Sequence, residues 1–181
     1  NEERVTNADG KNILLDTVKT PWVDQNGNTL GVLGICRDIT PKSDNEREVR
    51  AANDQFYAAL NAMFTGELAP MNAIWSHSDD ISNQGPFGAR MDGWDAVGAQ
   101  FKKEAAMKLG GRITCKNLIV HAGRDIAYTV CVELGENMTA AGKPVEVSHR
   151  ATNIFRREEG QWRLIHHHTD LSPQLDNADN K

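Results

Sequence analysis

Residues 150–170 read RATNIFRREEGQWRLIHHHTD. Two apolar, β-branched runs flank Glu159-Gly160, a turn-like dipeptide, so an antiparallel pair of strands is expected. Alternation along the first strand puts Val147, His149, Ala151, Asn153 and Phe155 on one face, opposite Ser148, Arg150, Thr152 and Ile154. Along the second it groups Trp162, Leu164, His166 and His168 against Arg163, Ile165, His167 and Thr169. The histidine triplet is then a pair, ~7 Å apart along the strand, with His167 turned away. His149, His166 and His168 together would be the set for a three-histidine metal site. No Asp or Glu shares their face on these two strands to support such ligands. Polar lining is the simpler account, and no metal or other cofactor is expected.

Two more strands precede this pair, RITCKNLIVHAG and DIAYTVCVELGEN, joined at Gly123-Arg124-Asp125 and followed by a turn at Ala141-Gly142-Lys143. Tyr128 and Glu133 fall on opposite faces of the second of these, so only one of them can face a given site. Before the strands the pattern is helical. Val49, Ala52, Phe56, Leu60 and Met63 recur at helical spacing after SDNE, where Ser43 reads as an N-cap with Glu46 closing a capping box, and Gly66 ends the run. A short helix covers Glu67 to Trp75, a polar loop spans residues 77–93, and a third helix carries Trp94, Val97, Phe101 and Ala105 up to Gly110-Gly111. Three helices followed by an antiparallel meander make an α+β fold, with the helices on one face of a curved sheet. The polar tail, residues 174–181, is expected to be disordered.

Composition limits the partners. The chain has 181 residues, a net charge of −5 and scattered Lys and Arg, which argues against nucleic acid. No apolar run reaches membrane-spanning length, so no membrane partner is expected. Three cysteines, Cys36, Cys115 and Cys131, without a secretion signal point to reduced thiols and a cytoplasmic protein.

The N-terminal stretch DGKNILLDTVKTPWVDQNGNTLGVLGICRDIT reads as two strands around the turn Asp24–Gly27. It resembles the closing strands of a PAS sensor domain, with their terminal D-I-T signature. The resemblance implies that residues 1–42 are a C-terminal PAS remnant in the form of a β-hairpin, without the strands and helices of a ligand cavity. The order of ANDQFYAALNAMFTGELAPMNAIWSHSDDIS, GPFGARMDGWDAV and RATNIFRREEGQWRLIHHHTD is similar to the nuclear transport factor 2-like superfamily. Its SnoaL-like branch and the association domain of calcium/calmodulin-dependent kinase II look nearest. For residues 43–173 the resemblance implies a cone-shaped α+β barrel, a pocket between sheet and helices, and a homodimer formed largely through the sheet.

The superfamily holds enzymes, binders and assembly hubs, so function rests on the site. Steroid isomerase chemistry needs a carboxylate base before a Pro-Phe-Gly-like turn, and the matching position here is Gly85. The family's tyrosine donor falls at Ala59. The kinase association domain carries an Arg where Asn153 stands. The expected function is therefore a dimeric small-molecule-binding or sensory-accessory module. One alternative is a SnoaL-like isomerase, cyclase or hydrolase using His77, His166 or His168 as acid or base; the other is an oligomerisation hub. Expected ligand-contacting residues are Trp75, His77, Asn83, Tyr128, His149, Asn153, His166 and His168.

Overall fold

The structure, a computed structural model, describes residues 2–140 and 142–171; the tail expected from residue 174 lies outside the described residues. The chain divides between Asn45 and Glu46 into two compact units.

In the first unit β1 (Glu2–Thr6), β2 (Asn12–Val23) and β3 (Thr29–Asp38) form an antiparallel sheet in that order. The expected hairpin is β2–β3, and β1 is a third strand that the sequence reading did not contain. Two short-range turns build it. The Asn7 carboxamide accepts from the backbone of Asp9 and Lys11 at 3.0 and 2.9 Å, and the Asp24 carboxylate does the same for Asn26 and Asn28, both at 2.8 Å. Val18 pairs with Ile35 and Thr20 with Leu33, so one face presents Val18, Leu33 and Ile35, all exposed.

Helix α1 spans Thr40–Met63, beginning in the first unit and ending in the second. It starts three residues before the expected Ser43 cap. Pro41 suits a first turn, which needs no N–H from it, and the Asp38 carboxylate accepts the Thr40 N–H at 2.9 Å. Ser43 lies inside that first turn, its N–H bonded to Ile39 O at 3.0 Å.

In the second unit α1 buries Val49, Asn53, Phe56, Tyr57, Leu60 and Met63. Helices α2 (Ala69–Ile74) and α3 (Trp94–Met107) follow. The connection after α3 needs Gly111: its φ is +64°, and a Cβ there would meet Glu136 O at 2.4 Å. The supposed loop over residues 77–93 contains two strands, β4 (Ser82–Gln84) and β5 (Met91–Asp92). Strands of three and two residues are too short to show alternation.

The long strands β6 (Arg112–Ala122), β7 (Ile126–Ala140), β8 (Lys143–Glu158) and β9 (Gln161–Thr169) match the four runs in the sequence. The six-stranded order is β5-β4-β9-β8-β7-β6, antiparallel except for β4 beside β9. The curved sheet is not closed, since its outermost strands β5 and β6 do not pair, so the cone is an open one rather than a barrel. Bulges help to bend it. Asn117 and Asn137 take φ of 55° and 56° at register shifts in β6 and β7, a backbone that Asn tolerates. The helices cover the concave face in one hydrophobic core. Among the described residues no helix is long and apolar enough to cross a membrane.

Candidate functional site

The third bulge decides the site. Phe155 pairs with Leu164 but Ile154 with His166, which leaves Ile165 as an extra residue in β9. Every side chain beyond it changes face. Trp162, Leu164, His167 and Thr169 are buried on the inner face, while His166 is half-buried and His168 exposed on the outer one. The alternation expected for the triplet is thus inverted: the inner histidine is His167. The expected grouping of His149 with His166 and His168 falls with it, because His149 is buried on the inner face.

His167 belongs to a chain of buried side chains whose donors and acceptors are mutually fixed. Thr129 Oγ1 and Asn153 Nδ2 both donate to Asn53 Oδ1, at 2.9 and 3.1 Å. Asn153 Oδ1 must then accept from His167 Nδ1, at 2.6 Å. That places the imidazole proton on Nδ1 and leaves Nε2 bare, 4.0 Å from Glu133 Oε1. Tyr57 donates its hydroxyl to the same Glu133 oxygen at 2.9 Å.

Burial sets the charges. It pushes the Glu133 carboxyl up to about 7, partly offset by the Tyr57 hydrogen bond. It pulls His167 down to about 3, helped by the neighbouring histidines, and it lowers His149 as well. At neutral pH His167 and Glu133 are therefore not an ion pair despite their approach: the histidine is neutral and the carboxyl half protonated or more.

Next to this chain lies an inner cavity of about 30 Å³, lined by Phe56, Trp75, Phe87, Phe101 and Met138 and by the polar groups of Asn83, Glu104, Glu133, His149 and His167. The volume suits a water-sized group. Trp75 Nε1, Asn83 Oδ1 and His149 Nδ1 are buried without a hydrogen-bond partner, and all three residues line this cavity. Each such atom costs about 1–3 kcal/mol if nothing polar meets it. No Lys or Arg lines the space, whereas two glutamates do.

The structure brings Trp75, Asn83 and His149 to the cavity, with Asn153 one hydrogen bond behind His167. The other expected contacts lie elsewhere. Tyr128 is on the outer face, its ring against His121, because inner and outer residues alternate along β7 and Glu133 takes the inner phase. His77 is exposed, stacked on Trp94 at 3.8 Å and bonded through Nε2 to Asn72 O at 2.9 Å. His166 Nδ1 meets Ser82 Oγ at 2.8 Å across the β4–β9 pair. The residues missed are His167, Glu133, Tyr57, Asn53 and Glu104. A Glu in the buried phase of a strand between Cys131 and the bulge was the one available signal for Glu133.

Residues 49–172 match the model of the SnoaL-like domain family. Among solved structures, a candidate calcium/calmodulin-dependent protein kinase II association domain from Thiobacillus denitrificans is 27% identical, with a TM-score of 0.57, covering 68% of this chain and 94% of that one. A candidate dehydratase of the nuclear transport factor 2-like family from Streptomyces avermitilis is 21% identical over 73% of this chain and 99% of that one, with a TM-score of 0.61. A candidate aromatic ring hydroxylase from Novosphingobium aromaticivorans is 18% identical over 75% and 97%, with a TM-score of 0.63. A search of curated proteins finds no match. With its family model covering most of the cavity-bearing unit, the chain belongs to the SnoaL-like domain family, on a helix-backed curved sheet of the fold that its nuclear transport factor 2-like neighbour shares.

Proposed function

We propose that the protein is a small-molecule-binding or sensory-accessory module, and that its ligand occupies the inner cavity. The observation that carries this is the convergence of Trp75 Nε1, Asn83 Oδ1 and His149 Nδ1, three unpartnered buried polar atoms, on one mainly apolar space. A ligand satisfying them carries both an acceptor for the indole N–H and a donor for the carboxamide oxygen. Without a cation in the lining and with two glutamates there, an uncharged molecule suits it. Anything larger than water must displace part of the wall, to which the turn Gly85–Gly88 contributes Pro86 and Phe87. The PAS-like strands ahead of α1 support the sensory part of the reading, since α1 carries Asn53 and Tyr57 to the polar chain beside the cavity. Homodimerisation through the outer sheet face is part of the proposal, supported by exposed Ile119, Tyr128 and Leu134 on neighbouring strands.

A second reading is enzymatic. Glu133 and His149 face each other across β7 and β8, and a carboxyl titrating near 7 beside a free imidazole nitrogen is matched to proton transfer at neutral pH. The solved neighbours named as a dehydratase and a ring hydroxylase share the fold only, so this reading rests on the two side chains.

Native mass spectrometry of freshly purified protein tests the binding reading. A retained small-molecule mass that disappears in His149→Ala and survives in His77→Ala is the expected result. A mass equally retained by both variants, or a high-resolution map with a lone water joining the three atoms, overturns it. The same spectra report a dimer or, against the proposal, a larger ring.

A further inference from the structure

Outside the cavity lining, the sheet and α1 enclose a second reactive cluster. Cys115 on β6 and Cys131 on β7 are free thiols, the first partly exposed and the second buried, and each meets a side chain of α1. Cys115 Sγ also receives Asn53 Nδ2 at 3.8 Å, and Cys131 Sγ lies 3.1 Å from the Tyr57 hydroxyl. Tyr57 has one proton, given to Glu133, so the contact with Cys131 runs from S–H to the phenol oxygen. The sequence offers no close-spaced cysteine motif. Strand pairing alone brings the two together, since Cys115 lies opposite Glu133, two residues along β7 from Cys131.

We propose that Cys115 and Cys131 form a hydroperoxide-reactive thiol pair that closes to a disulfide, and that Tyr57 transmits this change to Glu133 in the cavity. The partly exposed Cys115 is the attacking thiol and the buried Cys131 the resolving one. The Asn53 amide, donating to Cys115 Sγ at 3.8 Å, favours the thiolate there and makes Cys115 the attacking sulfur. In the first step the Cys115 sulfur attacks the O–O bond of hydrogen peroxide. An S–O bond forms, and the other oxygen leaves as water with the thiol proton. In the second step the Cys131 sulfur attacks the sulfenic sulfur, forming the S–S bond and releasing a second water. Two thiols are oxidised and one peroxide is reduced, with no other co-reactant. Closure removes the S–H donated to Tyr57 and so alters the group that holds the Glu133 carboxyl.

The test uses the full chain with Cys36→Ser, which removes the exposed third thiol and leaves two. Treatment with equimolar hydrogen peroxide should lower the intact mass by two hydrogens and abolish both free thiols. It should also link the Cys115 and Cys131 peptides, with full reversal by dithiothreitol. In a Cys131→Ser version, dimedone should trap a sulfenic acid at Cys115. Two free thiols persisting under peroxide that oxidises Cys36 in the unsubstituted chain would overturn the proposal, as would sulfinic acid at Cys115 without linkage. For the second half, the infrared carbonyl band of protonated Glu133, assigned by its loss in Glu133→Gln, should move on oxidation. A band at the same frequency in both redox states would sink the transmission to the cavity.

Discussion

His166 and His167 are neighbours in sequence and opposites in surroundings. His167 is 6% exposed, held by Asn153 and stripped of any charge at neutral pH; His166 is half in water and meets a serine on the adjoining strand. The same side chain costs and contributes differently on the two faces, and the one-residue bulge at Ile165 decides which histidine gets which role. The polar groups around His167 on the inner face are tied into a chain in which each proton has a fixed address, so removing one member strands the next. On the outer face water replaces whatever is lost.

The contrast can be broken most directly by truncation. His167→Ala leaves Asn153 Oδ1 without its donor and opens a void beside Phe56, so a loss of about 3 kcal/mol is expected from urea unfolding. A loss below about 1 kcal/mol would mean that the chain is not the support it looks to be.

A second effect appears as a pH profile. The folded protein keeps His167 neutral down to about 3, against 6.5 for the free group, so the unfolded chain binds more protons in between and stability falls as pH drops through that window. Glu133 works in the other direction. Its folded value of about 7 lies above the usual 4.5, so its contribution is complete below 4.5 and is lost as pH rises through 7. Between about 4.5 and 6.5 the two slopes oppose each other, each at most about 1.4 kcal/mol per pH unit. Glu133→Gln keeps an acceptor for Tyr57 and cannot ionise. With only the His167 slope left, its stability should rise from pH 5 to 6.5, where the parent stays near level, and hold level from 6.5 to 7, where the parent declines; parallel profiles would contradict a protonated Glu133.

These roles were only partly legible in the sequence. The fold came through because β6 to β9 are long, alternate over most of their length and are separated by turn residues, while the apolar stripes of α1 and α3 repeat at helical spacing. His149 and Asn153 were placed on the inner face for the same reason, beside Val147 and Phe155. The bulge in β9 was not legible. Its extra residue is Ile165, an ordinary strand former, whereas the bulges in β6 and β7 sit at Asn117 and Asn137, residue types that announce unusual backbone. Nor could the spacing show that Asn53 would reach from α1 to Thr129 on β7 and Asn153 on β8 to complete the polar chain. That joins groups 100 residues apart in sequence.

Two smaller effects sharpen the same contrast. Thr169 is 4% exposed on the inner face and its Oγ1 has no partner, unlike that of Thr129. Thr169→Val keeps the shape and removes the stranded hydroxyl, so a gain of about 1 kcal/mol is expected. A loss of that size would reveal a bound water or ligand group at the hydroxyl. The smallest change belongs to the outer face. His166→Ala forfeits one bond to Ser82 that water can replace, and His168→Ala removes an exposed ring, so each should shift stability by about 0.5 kcal/mol or less. If His166→Ala instead matched His167→Ala, the two faces would not differ in the way the bulge implies, and the pairing of Ile154 with His166 would have to be redrawn.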